Sequence, residues 1–134
     1  MTTVTAAVIE RDGRILICRR RADQRHPLKW EFPGGKLEAE ESPADGLARE
    51  LAEELGIRVE EATEITRYEY QYPGRGLIQL VFFRVGRYAG CVENRIFAEM
   101  AWARPEELPG FDFLDGDVEF VRQLARGAWP KPGC

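Results

Sequence analysis

The sequence is poor in the residues that build disulfide frameworks, histidine-dependent active sites and membrane spans. It contains one histidine, His26, and three widely spaced cysteines, an odd number without a metal-binding spacing. Such cysteines favour a reducing compartment, and no nucleophile motif accompanies His26, which argues against Ser/His/Asp or Cys/His catalysis. No apolar run approaches the roughly 18 residues of a membrane span, and the first residues lack a signal-peptide pattern. We expect a cytoplasmic protein without a membrane partner, and His26 to be an exposed loop residue.

The chain also has no excess of positive charge. The chain carries 19 basic and 23 acidic side chains, a formal net charge of −4, which argues against a nucleic-acid polymer as the main partner. Basic residues nevertheless concentrate in residues 19–29, and acidic residues in residues 36–64. With 134 residues, 44% of them hydrophobic, the chain is long enough for one core and too short for two ordinary domains. We predict a single domain over residues 1–134 and a monomer, with a dimer as the open alternative.

Alternating apolar residues and turn signals predict a layered α+β or α/β domain. Strands are predicted at residues 3–10, 14–19, 57–60, 65–72, 77–85 and 100–103, with hairpin turns at residues 12–13 and 73–76. Residues 22–41 are predicted as a loop with a short extended piece at 30–32, residues 105–108 as a helical turn, and residues 129–134 as a loosely held tail. A last helix ends near Arg126, and Asp115 or Asp117 is expected to cap its N-terminus.

A second helix is predicted between residues 42 and 56, and it carries clear local signals. Ser42 followed by Pro43 indicates the helix start, and Gly56 indicates a left-handed stop. Leu47, Leu51 and Leu55 recur at every fourth residue, which predicts a face that packs on a sheet. We therefore expect an amphipathic helix that is docked on the rest of the domain.

Three glutamates lie on one side of this helix. Glu50, Glu53 and Glu54 are spaced at i, i+3 and i+4, which places their Cβ atoms about 5–6 Å apart, and folding does not require this repulsion. A solvated acidic face is the simpler alternative. Against it, the glutamates border the leucine face, Glu41 and a Pro-Gly-Gly turn lie upstream, and Arg49 supplies a cation four residues before Glu53. Because Mg²⁺ prefers such hard oxygen ligands, the pattern predicts a magnesium site for a phosphorylated substrate.

The same residues resemble a known signature. Gly35, five residues, Glu41, seven residues, and then the run from Arg49 to Ile57 match every fixed position of the Nudix box, which is far more specific than a lone glycine motif. Flanking stretches at residues 18–21, 30–36, 69–73 and 113–117 resemble the MutT-type nucleoside triphosphate pyrophosphohydrolases. The resemblance extends from about residue 4 to residue 124.

This resemblance implies a fold and an activity. The fold would be the Nudix fold, an α/β/α sandwich whose mixed β-sheet is packed between the Nudix-box helix and a C-terminal helix. The activity would be hydrolysis of a (d)NTP to (d)NMP and pyrophosphate with Mg²⁺, or Mn²⁺ as a substitute, first of all on oxidised 8-oxo-dGTP. A CTP or modified-pyrimidine pyrophosphohydrolase is the alternative, and a nucleotide-sensing module without catalysis is a third possibility.

The resemblance also implies roles for individual residues. Metal binding would fall to Glu50, Glu53 and Glu54 and the Gly35 carbonyl, and Glu41 would either complete this set of metal ligands or hold them in place from behind. Glu50 is the candidate for orienting or deprotonating the attacking water, and Arg49 would fix the carboxylates by ion pairing. Substrate contacts would come from Arg20, Phe32, Lys36 and Asp117, of which Asp117 would read the base.

Some positions leave an alternative open. The resemblance implies a further glutamate six residues before Trp102, where this sequence has Ile96, so Glu93 or Glu99 is the candidate for the additional loop ligand. The alternative for Arg20 is a solvated strand end, and the alternative for Asp117 is the helix cap. For the alternating row Tyr68, Tyr70 and Tyr72, packing on the sheet is favoured over stacking on a base.

Overall fold

The computed structural model describes residues 1–127, so the predicted loose tail at 129–134 lies outside the described residues. The strands are β1 (Thr2–Val8), β2 (Glu10–Arg11), β3 (Arg14–Arg19), β4 (Trp30–Glu31), β5 (Gly34–Lys36), β6 (Arg58–Gln71), β7 (Leu77–Ala89) and β8 (Glu99–Ala103). The helices are α1 (Pro43–Leu55) and α2 (Val118–Ala125), and 3₁₀ turns cover Pro105–Gly110 and Asp115–Asp117. None of the helices in residues 1–127 is both long and apolar enough to cross a membrane.

The strands form two four-stranded sheets rather than one continuous sheet. The first has the order β5-β1-β7-β6 and is mixed, because β1 pairs parallel with β7 while its other pairings are antiparallel. In the second, β3 pairs antiparallel with β2 and β4 and with β8.

The two helices cover opposite faces of these sheets. Side chains alternate between the faces of a strand, so Ala6 and Val8 of β1 pack in the core under α2, whereas Ala7 packs in the core under α1. The strands β3 and β7 divide in the same way between the two cores. The predicted leucine face of α1 is fully buried. The α/β/α sandwich is therefore confirmed.

Three strand predictions need correction. The strand predicted at residues 3–10 is divided at Ile9 into β1 and β2. Both edges of β1 are occupied, by β5 and by β7, so the hairpin at Asp12-Gly13 joins β2 to β3 instead. The residues of β5 lie in the stretch 22–41 that is predicted as a loop, but they pair antiparallel with β1. The two strands predicted at 57–60 and 65–72 are a single edge strand, β6, whose polar middle pairs with β7 through register shifts.

The helix signals of α1 hold in detail, whereas those of α2 do not. Ser42 Oγ accepts the Asp45 N–H at 3.2 Å, and Gly56 closes α1 with φ +71°. At α2, Asp117 occupies the N-cap position, but its side chain makes no capping hydrogen bond. Asp115 begins the preceding 3₁₀ turn and does not occupy the N-cap position of α2. The predicted aspartate cap is wrong, and Asp117 is free to serve the site described next.

Candidate active site

A cavity of about 340 Å³ opens between β1, β5, the loop after β3 and the turn before α2. Its lining brings together six of the predicted site residues, which are Arg20, Phe32, Gly35, Lys36, Glu54 and Asp117. The acidic side of α1 lies at one end of this cavity, because Glu54 is part of the lining and Gly35 lies against Glu50. The predicted substrate residues and the predicted metal residues thus belong to one continuous site.

Arg49 organises the acidic end. Its guanidinium donates to both oxygens of Glu41, at 2.7 Å through Nε and 3.0 Å through Nη2. Nη1 donates to Glu50 Oε1 at 2.9 Å and lies 3.4 Å from Glu53 Oε1, while Nη2 also donates to the Lys36 carbonyl at 3.0 Å. This bidentate pairing lowers the pKa of Glu41 to about 2. Arg49 therefore joins the loop after β5 to the acidic face of α1.

Glu54 is the buried member of the three glutamates. Only 7% of the residue is exposed, and its Oε1 accepts the Gly34 N–H at 3.1 Å. Burial, together with the neighbouring Glu50 carboxylate, holds the pKa of Glu54 well above its usual range. A Cβ at Gly35 would lie 2.5 Å from the Glu50 carboxyl carbon, so only glycine leaves Glu50 its place against β5.

The part of the cavity beside the loop after β3 and the turn before α2 contains two further carboxyl groups, those of Glu31 and Asp117. Asp117 is only 5% exposed, and burial raises its pKa well above the ordinary range, although a hydrogen bond from the Phe32 backbone opposes this effect. Arg20 Nη1 donates to both oxygens of Glu31, at 3.1 and 3.3 Å, and its Nε donates to the Arg25 carbonyl at 2.8 Å. Arg20 is thus fixed at the cavity and is not a solvated strand end.

Sequence reasoning missed several residues of this end. Glu31 lies within residues 30–36, and burial raises its pKa while the Arg20 guanidinium partly offsets the effect. Tyr72 also lines the cavity, and its ring lies 4.9 Å from that of His26. The prediction of an exposed His26 is wrong, because the half-buried ring contacts Tyr72; burial and Arg20 lower its pKa. No local pattern marks these contacts, which join distant segments.

The loop before β8 contributes an apolar side chain to the cavity. Ile96 is part of the lining, whereas Glu93 lies 3.3 Å from Arg95 and Glu99 lies 3.4 Å from Arg19. In this structure both candidate loop acids are directed at surface arginines. The assignment of either one as an additional ligand stays a prediction.

The NUDIX domain model matches residues 1–124. The chain belongs to the Nudix family. A CTP pyrophosphohydrolase of Escherichia coli is 36% identical over 121 residues, 90% of this chain and 89% of that protein. An 8-oxo-dGTP diphosphatase of Escherichia coli is 42% identical over 115 residues, 86% of this chain and 88% of that protein. The solution structure of the Escherichia coli ORF135 protein superposes with a TM-score of 0.83 at 34% identity, covering 100% of this chain and 95% of that one. The prediction of a MutT-type Nudix hydrolase is confirmed.

Nudix hydrolases use divalent metal ions, and the acidic end of the cavity fits such an ion. The neighbouring Glu50 carboxyl group adds to burial in raising the pKa of Glu54, an arrangement in which a bound cation would favour the ionised form of Glu54. Within residues 1–127 no three acidic, histidine or cysteine side chains already converge on one point, because Glu41 and Glu53 are turned toward Arg49. The oxygen donors are of the type that hard cations prefer.

The Arg49 contact predicts how this Nudix domain responds to acid. Glu41 has a lowered pKa in the folded state, so its ion pair stabilises the fold at pH above the ordinary pKa of a glutamate, and this contribution disappears as the pH falls toward about 2. We expect E41Q to lower Tm above pH 5, and the difference from the native chain to shrink toward pH 2. Thermal unfolding from pH 7 to pH 2 measures this, with E40Q, at an exposed neighbour, as the control. A pH-independent difference would contradict it.

Proposed function

We propose that this Nudix hydrolase converts a nucleoside triphosphate to the monophosphate and pyrophosphate, with 8-oxo-dGTP as the first candidate substrate. The observation that carries this proposal is the single cavity that joins the Asp117 and Arg20 end to the Glu54 and Gly35 end. A nucleotide has the same two-part chemistry, a hydrogen-bonding base and an anionic phosphate chain. The relatives named for 8-oxo-dGTP and CTP support the choice of substrate class.

At the acidic end, Glu50, Glu53, Glu54 and the Gly35 carbonyl would hold Mg²⁺, or Mn²⁺ in its place. The bound ion neutralises phosphate charge and makes a water molecule more acidic. Because both oxygens of Glu41 accept hydrogen bonds from Arg49, we assign Glu41 to holding Arg49 rather than to direct ligation. Lys36, which is one of the residues that line the cavity, would pair with phosphate oxygens.

Glu50 is the proposed base for the attacking water. Its Oε1 accepts a hydrogen bond from Arg49 at 2.9 Å, which fixes the carboxylate in one orientation. The carboxylate also lies against Gly35, at the boundary between α1 and the cavity. A carboxylate held in this way can accept the proton of a water that attacks phosphorus.

At the other end, Asp117 and Arg20 would recognise the base. An ionised carboxylate accepts hydrogen bonds from guanine N1–H and N2–H₂, and an arginine donates to O6. Phe32 lies along the same wall, 5.3 Å from the stacked ring of Phe113, and would limit the depth of the pocket. Buried polar groups of this kind reject bases that leave them unpaired.

CTP is the second candidate, and the pair of buried carboxyl groups favours it. Glu31 and Asp117 both line the cavity, and burial raises the pKa of both carboxyl groups. A protonated carboxyl and a carboxylate together match the N3 acceptor and N4 amino donor of cytosine. The choice between the two substrates depends on which of these protonation states the bound base selects.

A panel of nucleotides tests the proposed function. We expect pyrophosphate release from 8-oxo-dGTP or CTP with Mg²⁺, and loss of release when the metal is removed by a chelator. The kcat/KM values for 8-oxo-dGTP, dGTP, CTP and a modified CTP rank the candidates. If none of the panel releases pyrophosphate, the catalytic proposal fails, and nucleotide binding without turnover would instead support the sensing module.

Replacement of Asp117 tests the assignment of the base end. In D117N one carboxylate oxygen becomes an amide donor, so we expect kcat/KM for the preferred nucleotide to fall about 10- to 100-fold, and the preference over other bases to narrow. D117N should not destabilise the fold at neutral pH. A buried carboxyl group whose pKa is raised in the folded state lowers the free energy of unfolding at pH values above its ordinary pKa.

The matched control for D117N is D115N. Asp115 lies in the same 3₁₀ turn but is exposed, so D115N should leave kcat/KM and base preference unchanged. Equal losses in the two variants would indicate a general effect of the turn and would contradict a base contact by Asp117.

A further inference from the structure

Gly116, the residue that precedes Asp117, is held from both sides by Tyr68 of the edge strand β6 and by Tyr72, the first residue after that strand. The Tyr68 hydroxyl donates to the Gly116 carbonyl at 2.5 Å, and the Tyr72 hydroxyl accepts the Gly116 N–H at 2.9 Å. These contacts join positions 48 and 44 residues apart in the sequence. Both polar groups of the Gly116 backbone are therefore fixed by side chains from β6 and from the turn that follows it.

The Tyr68 hydroxyl also reaches the first turn of α2. It accepts a hydrogen bond from the Phe120 backbone, which is the kind of contact that a capping side chain supplies at a helix N-terminus. Because Asp117 makes no capping hydrogen bond, Tyr68 takes over part of that duty. The Asp117 carboxyl is left to face the cavity.

The space around Gly116 matches this arrangement. A Cβ at Gly116 would lie 2.8 Å from the Tyr72 hydroxyl and 3.2 Å from Leu80 Cδ1. Tyr68 is tilted on Phe82 with the ring centroids 5.6 Å apart, and it is not among the residues that line the cavity in the described part of the chain. Tyr68 lies beside the lining residue Leu80 on the neighbouring strand and hydrogen-bonds to the turn that carries Asp117.

We propose that Tyr68 and Tyr72 clamp Gly116 and thereby position Asp117 for base recognition, so that both tyrosines are specificity-determining positioning residues. The proposal rests on the proposed contact between Asp117 and the nucleobase. It assigns a function to the hydroxyl groups of the tyrosine row, whose rings pack on the sheet.

The test compares Y68F with Y70F. Tyr70 lies on β6, between Tyr68 and Tyr72 in the sequence, and its ring packs edge-on against that of Tyr72 with centroids 4.9 Å apart. Y70F therefore removes a hydroxyl from the same row without touching Gly116. We expect Y68F to reduce the ratio of kcat/KM between the preferred nucleotide and the next-best one by about tenfold, the effect of one lost hydrogen bond in a specificity contact. The Mg²⁺ concentration for half-maximal activity should not change.

Two further variants separate positioning from general stability. V121A truncates a buried residue of α2 and should lower Tm at least as much as Y68F while leaving base preference unchanged. G116A introduces the Cβ that meets Tyr72 and should narrow base preference as Y68F does. Amide hydrogen exchange at Gly116 should become faster in Y72F, because its acceptor is removed.

The outcomes distinguish the clamp from the proposed function. Narrowed preference in D117N, Y68F and G116A, with native preference in Y70F and V121A, supports the clamp. Narrowed preference in D117N alone overturns the clamp and leaves the proposed function standing. If D117N keeps the native base preference, Asp117 does not contact the base, and the clamp proposal fails together with the proposed base contact. A loss of preference in V121A equal to that in Y68F would show that stability, rather than position, sets the preference.

Discussion

Replacing Glu53 by glutamine is expected to abolish turnover while leaving the fold intact. The Glu53 side chain is 59% exposed and lies 3.4 Å from Arg49, an exposed type of ion pair that contributes at most about 1 kcal/mol to stability. Glutamine keeps the shape but loses the charge that a divalent ion requires. We therefore expect kcat to fall roughly 1,000-fold, as when a main electrostatic contact of a transition state is removed, with Tm within a few degrees of the native value.

Glu38 provides the matched control for this variant. Its side chain is 69% exposed and lies 3.5 Å from the same Arg49 guanidinium, so E38Q also removes one partner of Arg49. If Glu53 acted only by orienting Arg49, the two variants would lose similar activity, and the metal assignment would be wrong. Direct titration with Mn²⁺ should show weaker binding in E53Q and native binding in E38Q.

Local sequence signals were sufficient for the acidic end of the site. The residues 35–57 lie close together in the chain, and Ser42, Gly56 and the leucine spacing determine where α1 begins, ends and packs. The three glutamates therefore had to share one side of the helix. The contact of Arg49 with both oxygens of Glu41, which closes the loop before α1, required the folded geometry.

The base end could not be predicted in this way, because it is assembled from distant segments. Glu31, His26 and Tyr72 meet only when the loop after β3 packs beside the end of β6. The aspartate cap of α2 was predicted from a local preference, but a tyrosine hydroxyl 48 residues away from Gly116 holds that turn instead. Likewise β5 has weak strand propensity and forms because β1 offers it a free edge.

The close approach of β5 to β1 leads to the largest stability effect that we expect. Gly34 has φ +150° and is paired with Ala6, and a Cβ there would lie 2.1 Å from the Thr5 carbonyl oxygen. Backbone atoms of a paired strand cannot move aside as a flexible side chain can, so G34A should destabilise the fold by about 3 kcal/mol or more. This corresponds to a fall in Tm of roughly 10 °C or more for a domain of this size.

G34A should also reduce activity, because the Gly34 N–H donates to Glu54 at 3.1 Å and β5 forms one wall of the cavity. Gly76, in the turn between β6 and β7, is the matched control, since a Cβ there meets no atom within 4 Å. G76A should change stability by less than about 0.5 kcal/mol. Thermal unfolding of both variants tests this prediction. A native-like Tm in G34A would contradict it, because it would mean that β5 can separate from β1 without loss of stability. In that case β5 would not form a rigid wall between the base end and the acidic end.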